Sequence, residues 1–222
     1  MRPKPWSYSA LDKFISCPRQ YYEMRIAQSV VDTVSPQMAW GTYLHLQFEN
    51  RQKHGISLPP EVSQFETFMS MLEDLPGEFE TEQQVALDRR GMPTTFNAPD
   101  VWWRGIIDYV KRDGTRALIV DYKTGKMHKK FGQLKLFALY IFAKYPEIMD
   151  VEVQFFWTQI QTITNARYTR AMTSTLWSEF VPDLKQYVEA FRTDTWQARP
   201  SGLCHGWCPV THCEFWKPKR QR

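Results

Sequence analysis

Residues 103–126 read WRGIIDYVKRDGTRALIVDYKTGK, two short apolar runs on either side of Asp113-Gly114. An Asp-Gly pair tolerates the positive φ angles of a tight turn, so the stretch predicts an antiparallel hairpin. With a two-residue turn at Asp113-Gly114, Asp108 faces Ile119 and Ile106 faces Asp121. Side chains two apart share a face, which puts Asp108, Asp121 and Lys123 together and sends Tyr109, Leu118, Val120 and Tyr122 to the apolar side. A four-residue loop keeps this parity and a three-residue loop breaks it. The hairpin alone leaves two readings open: a strand-end salt bridge between Asp121 and Lys123, or a site.

Outward from the hairpin, residues 82–89 alternate and read as a first strand, and residues 90–100 as a loop. The run FGQLKLFALYIFAKY, apolar nearly all round, predicts a helix buried against the sheet. DVEVQFFW from Asp150 and TNARYTRAM are further strands, and TLWSEFVPDLKQYVEAFRT is an amphipathic helix kinked or begun at Pro182. Towards the N-terminus, Ser9 and Asp12 have the spacing of a capping box for a helix to Ser16, which Pro18 ends or kinks. AWGTYLHLQFENRQKHG is helical, with Trp40, Leu44 and Phe48 on one side and Gly55 closing it. Gly41 and His45 lie one turn apart there, so something packs closely at Gly41 and the imidazole is presented beside it. EVSQFETFMSMLEDL predicts another helix. The order of elements is that of a mixed α/β core in which a helix crosses between strands.

The chain has 222 residues, 15% aromatics and a net charge of +4, enough to bury a sizeable core and inconsistent with disorder. No run of about twenty apolar residues exists, so no membrane span is expected. The first residues, MRPKPWSYSA, lack the apolar core of a signal peptide, which predicts a cytoplasmic, non-secreted protein. Thiols are then reduced, and the four cysteines read better as metal ligands than as disulfides. Basic residues cluster at Lys126, Lys129 and Lys130 and in the tail KPKRQR, where phosphate contacts are one reading beside a solvated face.

His45, Asp108, Asp121 and Lys123 form a plausible divalent-cation site. Hard oxygen donors suit Mg2+ or Mn2+, and one imidazole tilts the preference towards Mn2+. Two close carboxylates repel unless a cation neutralises them, and that cation can activate water for attack on phosphorus.

In order along the chain stand SYSALDKFISCPRQYY, GTYLH, GIIDYV, IVDYKTG, QLKLF and a late cysteine cluster. This succession resembles the PD-(D/E)XK nuclease superfamily, in particular its RecB-like exonuclease branch, and is similar to AddB and the CRISPR-associated RecB-like nucleases. The resemblance implies a restriction-endonuclease-like mixed central sheet flanked by helices, as a single domain over residues 1–222. It implies a metal-dependent DNA exonuclease acting on single strands or duplex ends in recombination, repair or phage DNA processing. Recombination or replication proteins would be its partners. The other readings are a non-catalytic DNA-binding recombination accessory protein and a structure-specific endonuclease.

By the same resemblance, His45, Asp108, Asp121 and the Tyr122 carbonyl hold Mg2+ or Mn2+, and Lys123 is the catalytic lysine. Gln133 opens the family's QxxxY helix motif, whose tyrosine position holds Phe137; Tyr140 stands one turn on. Gln133, Tyr140, Lys126, Lys129 and Lys130 are the implied DNA contacts. Cys17, Cys204, Cys208 and Cys213 resemble the ligands of a four-iron four-sulfur cluster. Their spacing, x3 then x4 where the relatives have x2 then x5, leaves zinc as an alternative. Either metal would clasp residues 1–30 to residues 195–222.

Overall fold

A computed structural model of the protein describes residues 1–31 and 34–219. Arg220, Gln221 and Arg222 of the basic tail lie outside them. The helices are α1 (Tyr8–Ser16), α2 (Pro18–Tyr21), α3 (Pro36–His54), α4 (Glu66–Asp74), α5 (Gly132–Lys144) and α6 (Thr173–Thr193). The strands are β1 (Glu78–Asp88), β2 (Val101–Asp113), β3 (Arg116–Lys123), β4 (Asp150–Trp157) and β5 (Thr162–Thr169). The chain divides into two compact units, residues 34–177 and residues 1–33 with 178–222.

In the larger unit the five strands form one sheet in the order β1-β2-β3-β4-β5. β3 and β4 pair in parallel and the other neighbours are antiparallel. A parallel neighbour requires a crossover, and α5 supplies it. That explains why α5 is apolar on nearly every side: eight of its residues, among them Leu134, Phe137 and Ile141, are buried. On the sheet's opposite face, Tyr109, Val120, Tyr122 and Phe156 pack with Leu44 and Phe48 of α3 and with Val62, Phe65, Met69 and Leu72. The apolar side of the hairpin is thus the side that parity assigned.

The turn itself sits one residue later than expected. Asp113 pairs with Arg116, leaving Gly114 and Thr115 at the tip with Gly114 at φ +54°. The opposite charges of Asp113 and Arg116 favour their direct pairing, and the positive φ falls on the glycine. Opposed positions shift by two, so the parity of the faces is unchanged but the partners differ. Val110, not Asp108, faces Ile119.

Two smaller expectations also move. Ser7, rather than Ser9, caps α1, its Oγ accepting the Ala10 N–H at 3.3 Å. The helix expected over residues 61–75 is a 3-10 segment, Pro60–Phe65, followed by α4.

The smaller unit has an aromatic centre. Phe14 meets Tyr187 edge-on at 5.3 Å, Tyr21 and Tyr187 share a hydroxyl hydrogen bond of 2.8 Å, and Phe191 packs edge-on against Trp196. Among the described residues no helix is long and apolar enough to cross a membrane.

Candidate active site

The β2–β3 ladder stops at Tyr109 and Val120, and one step further along that register Asp108 comes level with Asp121. In place of a ladder bond, Asp108 Oδ2 accepts the Tyr122 main-chain N–H at 2.7 Å. On the other edge of β2, pairing passes from Thr81–Tyr109 to Gln83–Ile107, which sets Glu82 level with Asp108. Glu82, Asp108 and Asp121 therefore form a row across three adjacent strands. The row exists because the strands' apolar residues fix the register, and a one-residue slip would turn all three to the other face.

His45 reaches this row from α3. Gly41, one turn earlier, explains how: a Cβ there would meet Thr124 Oγ1 at 3.0 Å, so the glycine lets α3 approach the end of β3 without displacing that side chain. His45 Nε2 lies 3.0 Å from the Tyr122 carbonyl oxygen, and Nδ1 lies 3.5 Å from Asp108 and 3.6 Å from Glu82. Burial alone would lower the imidazole's pKa. The close approach of the Asp108 and Glu82 carboxylates, with the charges of Asp108 and Asp121, outweighs that and raises it to about 10.

Asp121 is 1% exposed. Burial first, then the neighbouring Asp108 charge, raise its pKa to about 7 against the opposing pull of Lys123 and His45. Its Oδ1 accepts from Gln133 Nε2 at 2.8 Å, and Lys123 Nζ donates to Gln133 Oε1 at 2.9 Å. Lys123 also forms an ion pair with Asp121 Oδ2, although that oxygen receives no hydrogen bond. Gln133, on the first turn of α5, thus holds both the carboxylate and the ammonium. The strand-end salt bridge between Asp121 and Lys123 is present, with Gln133 bridging the two groups.

Among the described residues, His45, Glu82 and Asp108 are the group whose ligand atoms all lie within 4.8 Å of one another. Glu82 was not among the residues singled out from the sequence. Asp121 was, but in this geometry it is engaged by Lys123 and Gln133 rather than converging with that group. The donor set of carboxylate oxygens and one imidazole suits a hard divalent cation. The residues fit a Mg2+ or Mn2+ ion.

Other expected site residues fall elsewhere. Phe137 is buried against Gly105 and Trp103, and Tyr140 is buried and tilted against Trp103, its pKa raised by burial to about 12. Both belong to the core in this arrangement. Lys126, Lys129 and Lys130 are exposed in the loop between β3 and α5.

The four cysteines do not form the closed thiolate shell expected of a preformed mononuclear site. Among the described residues no three of them offer sulfurs within 4.8 Å of one another. A tetrahedral zinc with Zn–S of about 2.3 Å would need sulfurs about 3.8 Å apart. Burial raises the Cys208 thiol, and the charges of Cys17, Cys204 and Cys213 raise it further. Two of the sulfurs accept a main-chain N–H, Cys17 from Arg199 at 3.4 Å and Cys204 from Ser201 at 3.5 Å, and the Cys213 thiol donates to Glu214 Oε2 at 3.5 Å.

A mixed sheet with a crossover helix, and an Asp-x-Lys strand end facing a second carboxylate, define a restriction-endonuclease-like nuclease fold. The sequence matches the model of the PD-(D/E)XK nuclease superfamily over residues 5–213, and the chain belongs to that superfamily. Its members are nucleases that use divalent metals, with DNA as the implied substrate. No curated protein matches in sequence. Among solved structures the fold is similar to a Eubacterium rectale protein described as "Putative exonuclease", with a TM-score of 0.56 and 12% identity over 95% of this chain and 86% of that one. Another similar structure is SSO0001, with a TM-score of 0.47 and 15% identity over 95% of this chain and 85% of that one.

Proposed function

We propose that the protein is a metal-dependent DNA exonuclease of the RecB-like branch, working on single strands or duplex ends in recombination, repair or phage-type DNA processing. The observation that carries this reading is the Asp121–Gln133–Lys123 arrangement beside Asp108 and His45. A cation held by His45, Asp108, Asp121 and the Tyr122 carbonyl would polarise a phosphate oxygen and ease deprotonation of water. Lys123 is partly exposed and fixed through Gln133, so its ammonium can orient the attacking water or offset charge developing on the phosphate. Asp108, bound to the Tyr122 N–H through one oxygen, keeps its other oxygen towards His45. Lys126, Lys129 and Lys130 extend the positive surface along the loop after β3, where they can meet phosphates.

Linear and closed-circular DNA, end-labelled and incubated with Mn2+, test this. Release of nucleotides from ends alone supports an exonuclease. Cleavage of closed circles favours the structure-specific endonuclease, and binding without cleavage favours the accessory protein.

Cys17, Cys204, Cys208 and Cys213 are proposed to hold a four-iron four-sulfur cluster, a reading that rests on their order along the chain and on the main-chain N–H groups that Cys17 and Cys204 receive. Cluster formation would require the sulfurs to take up thiolate form, and its loss should destabilise the unit that carries them. A brown preparation with broad visible absorbance supports the cluster, whereas a colourless one with stoichiometric zinc favours the alternative.

A further inference from the structure

We infer that Glu82 is a ligand of the divalent cation in this same site, aimed into it by a left-handed residue in the middle of a β-strand. The inference rests on the metal-dependent reading above and adds a residue to it.

Glu82 has φ +49°, although Thr81 and Gln83 on either side of it are paired with β2 in ordinary antiparallel register. A left-handed glutamate inside a strand is unfavourable and persists only where the surroundings impose it. The result of that conformation is specific. The Glu82 carboxylate stands level with Asp108, within 4.8 Å of the ligand atoms of both Asp108 and His45. Glu82 and His45 also line an open cavity of about 430 Å3 with Gly41, Thr42 and Glu49, so an ion and a substrate have access to them.

Charge leads the same way. The row carries three carboxylates, Glu82, Asp108 and Asp121, against one imidazole and one ammonium. His45 lies 3.6 Å from Glu82, beyond a hydrogen bond of normal length, and Lys123 is committed to Asp121 and Gln133. A divalent cation among Glu82, Asp108 and His45 removes the excess negative charge with the donor atoms already at hand.

Calorimetric titration of the full-length protein with Mn2+ tests the assignment, using wild type, Glu82→Gln, Glu82→Asn and Asp108→Asn. Asparagine tolerates the left-handed backbone, which keeps the experiment interpretable if the glutamine variant folds poorly. The expected result is a 10–100-fold weaker Mn2+ affinity for both Glu82 variants, with circular dichroism unchanged. In metal-free buffer, Glu82→Gly should melt above Glu82→Ala, because glycine adopts the positive φ without strain. Glu82 variants that bind Mn2+ within twofold of wild type, while Asp108→Asn loses binding, would overturn the role of Glu82 and leave the metal site standing. A wild-type protein that binds no Mn2+ would overturn both.

Discussion

Gly41 and Thr124 are in such close contact that a single methyl group on the glycine would lie 3.0 Å from the threonine hydroxyl. That contact fixes the distance between the helix bearing His45 and the strand bearing Asp121 and Lys123. Gly41→Ala should therefore lower cleavage of linear DNA by about tenfold or more, because small displacements of a reacting group are costly. Its own helix-propensity gain of about 1 kcal/mol should offset most of the strain in stability. Thr124→Ala in the same chain removes the obstructing hydroxyl and should restore most of the rate. Steady-state rates of the two single variants and the double variant check this, and additive losses would count against the contact.

Asp121 and Lys123 should respond differently to removal. Asp121→Asn eliminates a buried charge while keeping the shape that Gln133 recognises, so cleavage should fall about 100-fold or more with little loss of melting temperature. Lys123→Ala leaves a buried carboxylate beside Asp108 without its cation, so it should lose activity and stability together. Cleavage rates measured alongside thermal melts in EDTA separate the two.

The metal-free protein should become less stable as pH rises. Asp121, with a folded pKa of about 7 against an ordinary 3.8, binds more protons folded than unfolded over that interval, so stability falls from about pH 4 to 7. His45, raised to about 10 from 6.5, stabilises fully below its unfolded pKa, and that contribution is lost as pH rises towards 10. Bound metal displaces protons from such groups, so stabilisation by Mn2+ should grow with pH across the same range. Melting curves in EDTA and in Mn2+ at several pH values give the two slopes, and Asp121→Asn should flatten the acidic one.

At Gly105, in β2, a Cβ would meet Phe137 Cε1 at 2.8 Å and Trp103 Cζ2 at 3.3 Å. Gly105→Ala should destabilise by about 1–3 kcal/mol, the usual effect of overpacking, and Phe137→Leu should recover part of it. Chemical denaturation of the single and double variants measures the coupling. The same packing explains why position 137 holds phenylalanine where the related motif has tyrosine: it is filled by core contacts with β2.

Much of this was legible in the sequence because period-two alternation is robust. Asp108, Asp121 and Lys123 share a face whichever even-length turn joins the strands, and the GTYLH spacing predicted a close approach at Gly41. The exact partners were not legible, since the choice between Asp113-Gly114 and Gly114-Thr115 depends on whether Asp113 pairs with Arg116, a tertiary preference. Glu82 was out of reach for two reasons. Its register with Asp108 is set across the loop between β1 and β2, which imposes no parity, and its left-handed φ has no local sequence signal in a glutamate. Ser7 and Ser9 are both competent caps by residue type, and the sequence alone does not distinguish them.

The carboxylate row also has an order of assembly. Asp108 and Asp121 are brought level by a two-residue turn, whereas Glu82 joins across the loop from Asp88 to Val101 and His45 comes from a helix over fifty residues earlier in the chain. Short loops close first, so like charges meet on the nascent hairpin before the imidazole that offsets them has docked. The row thus gathers like charges from one hairpin, and the packing of α3 against the sheet is what brings the imidazole that offsets them.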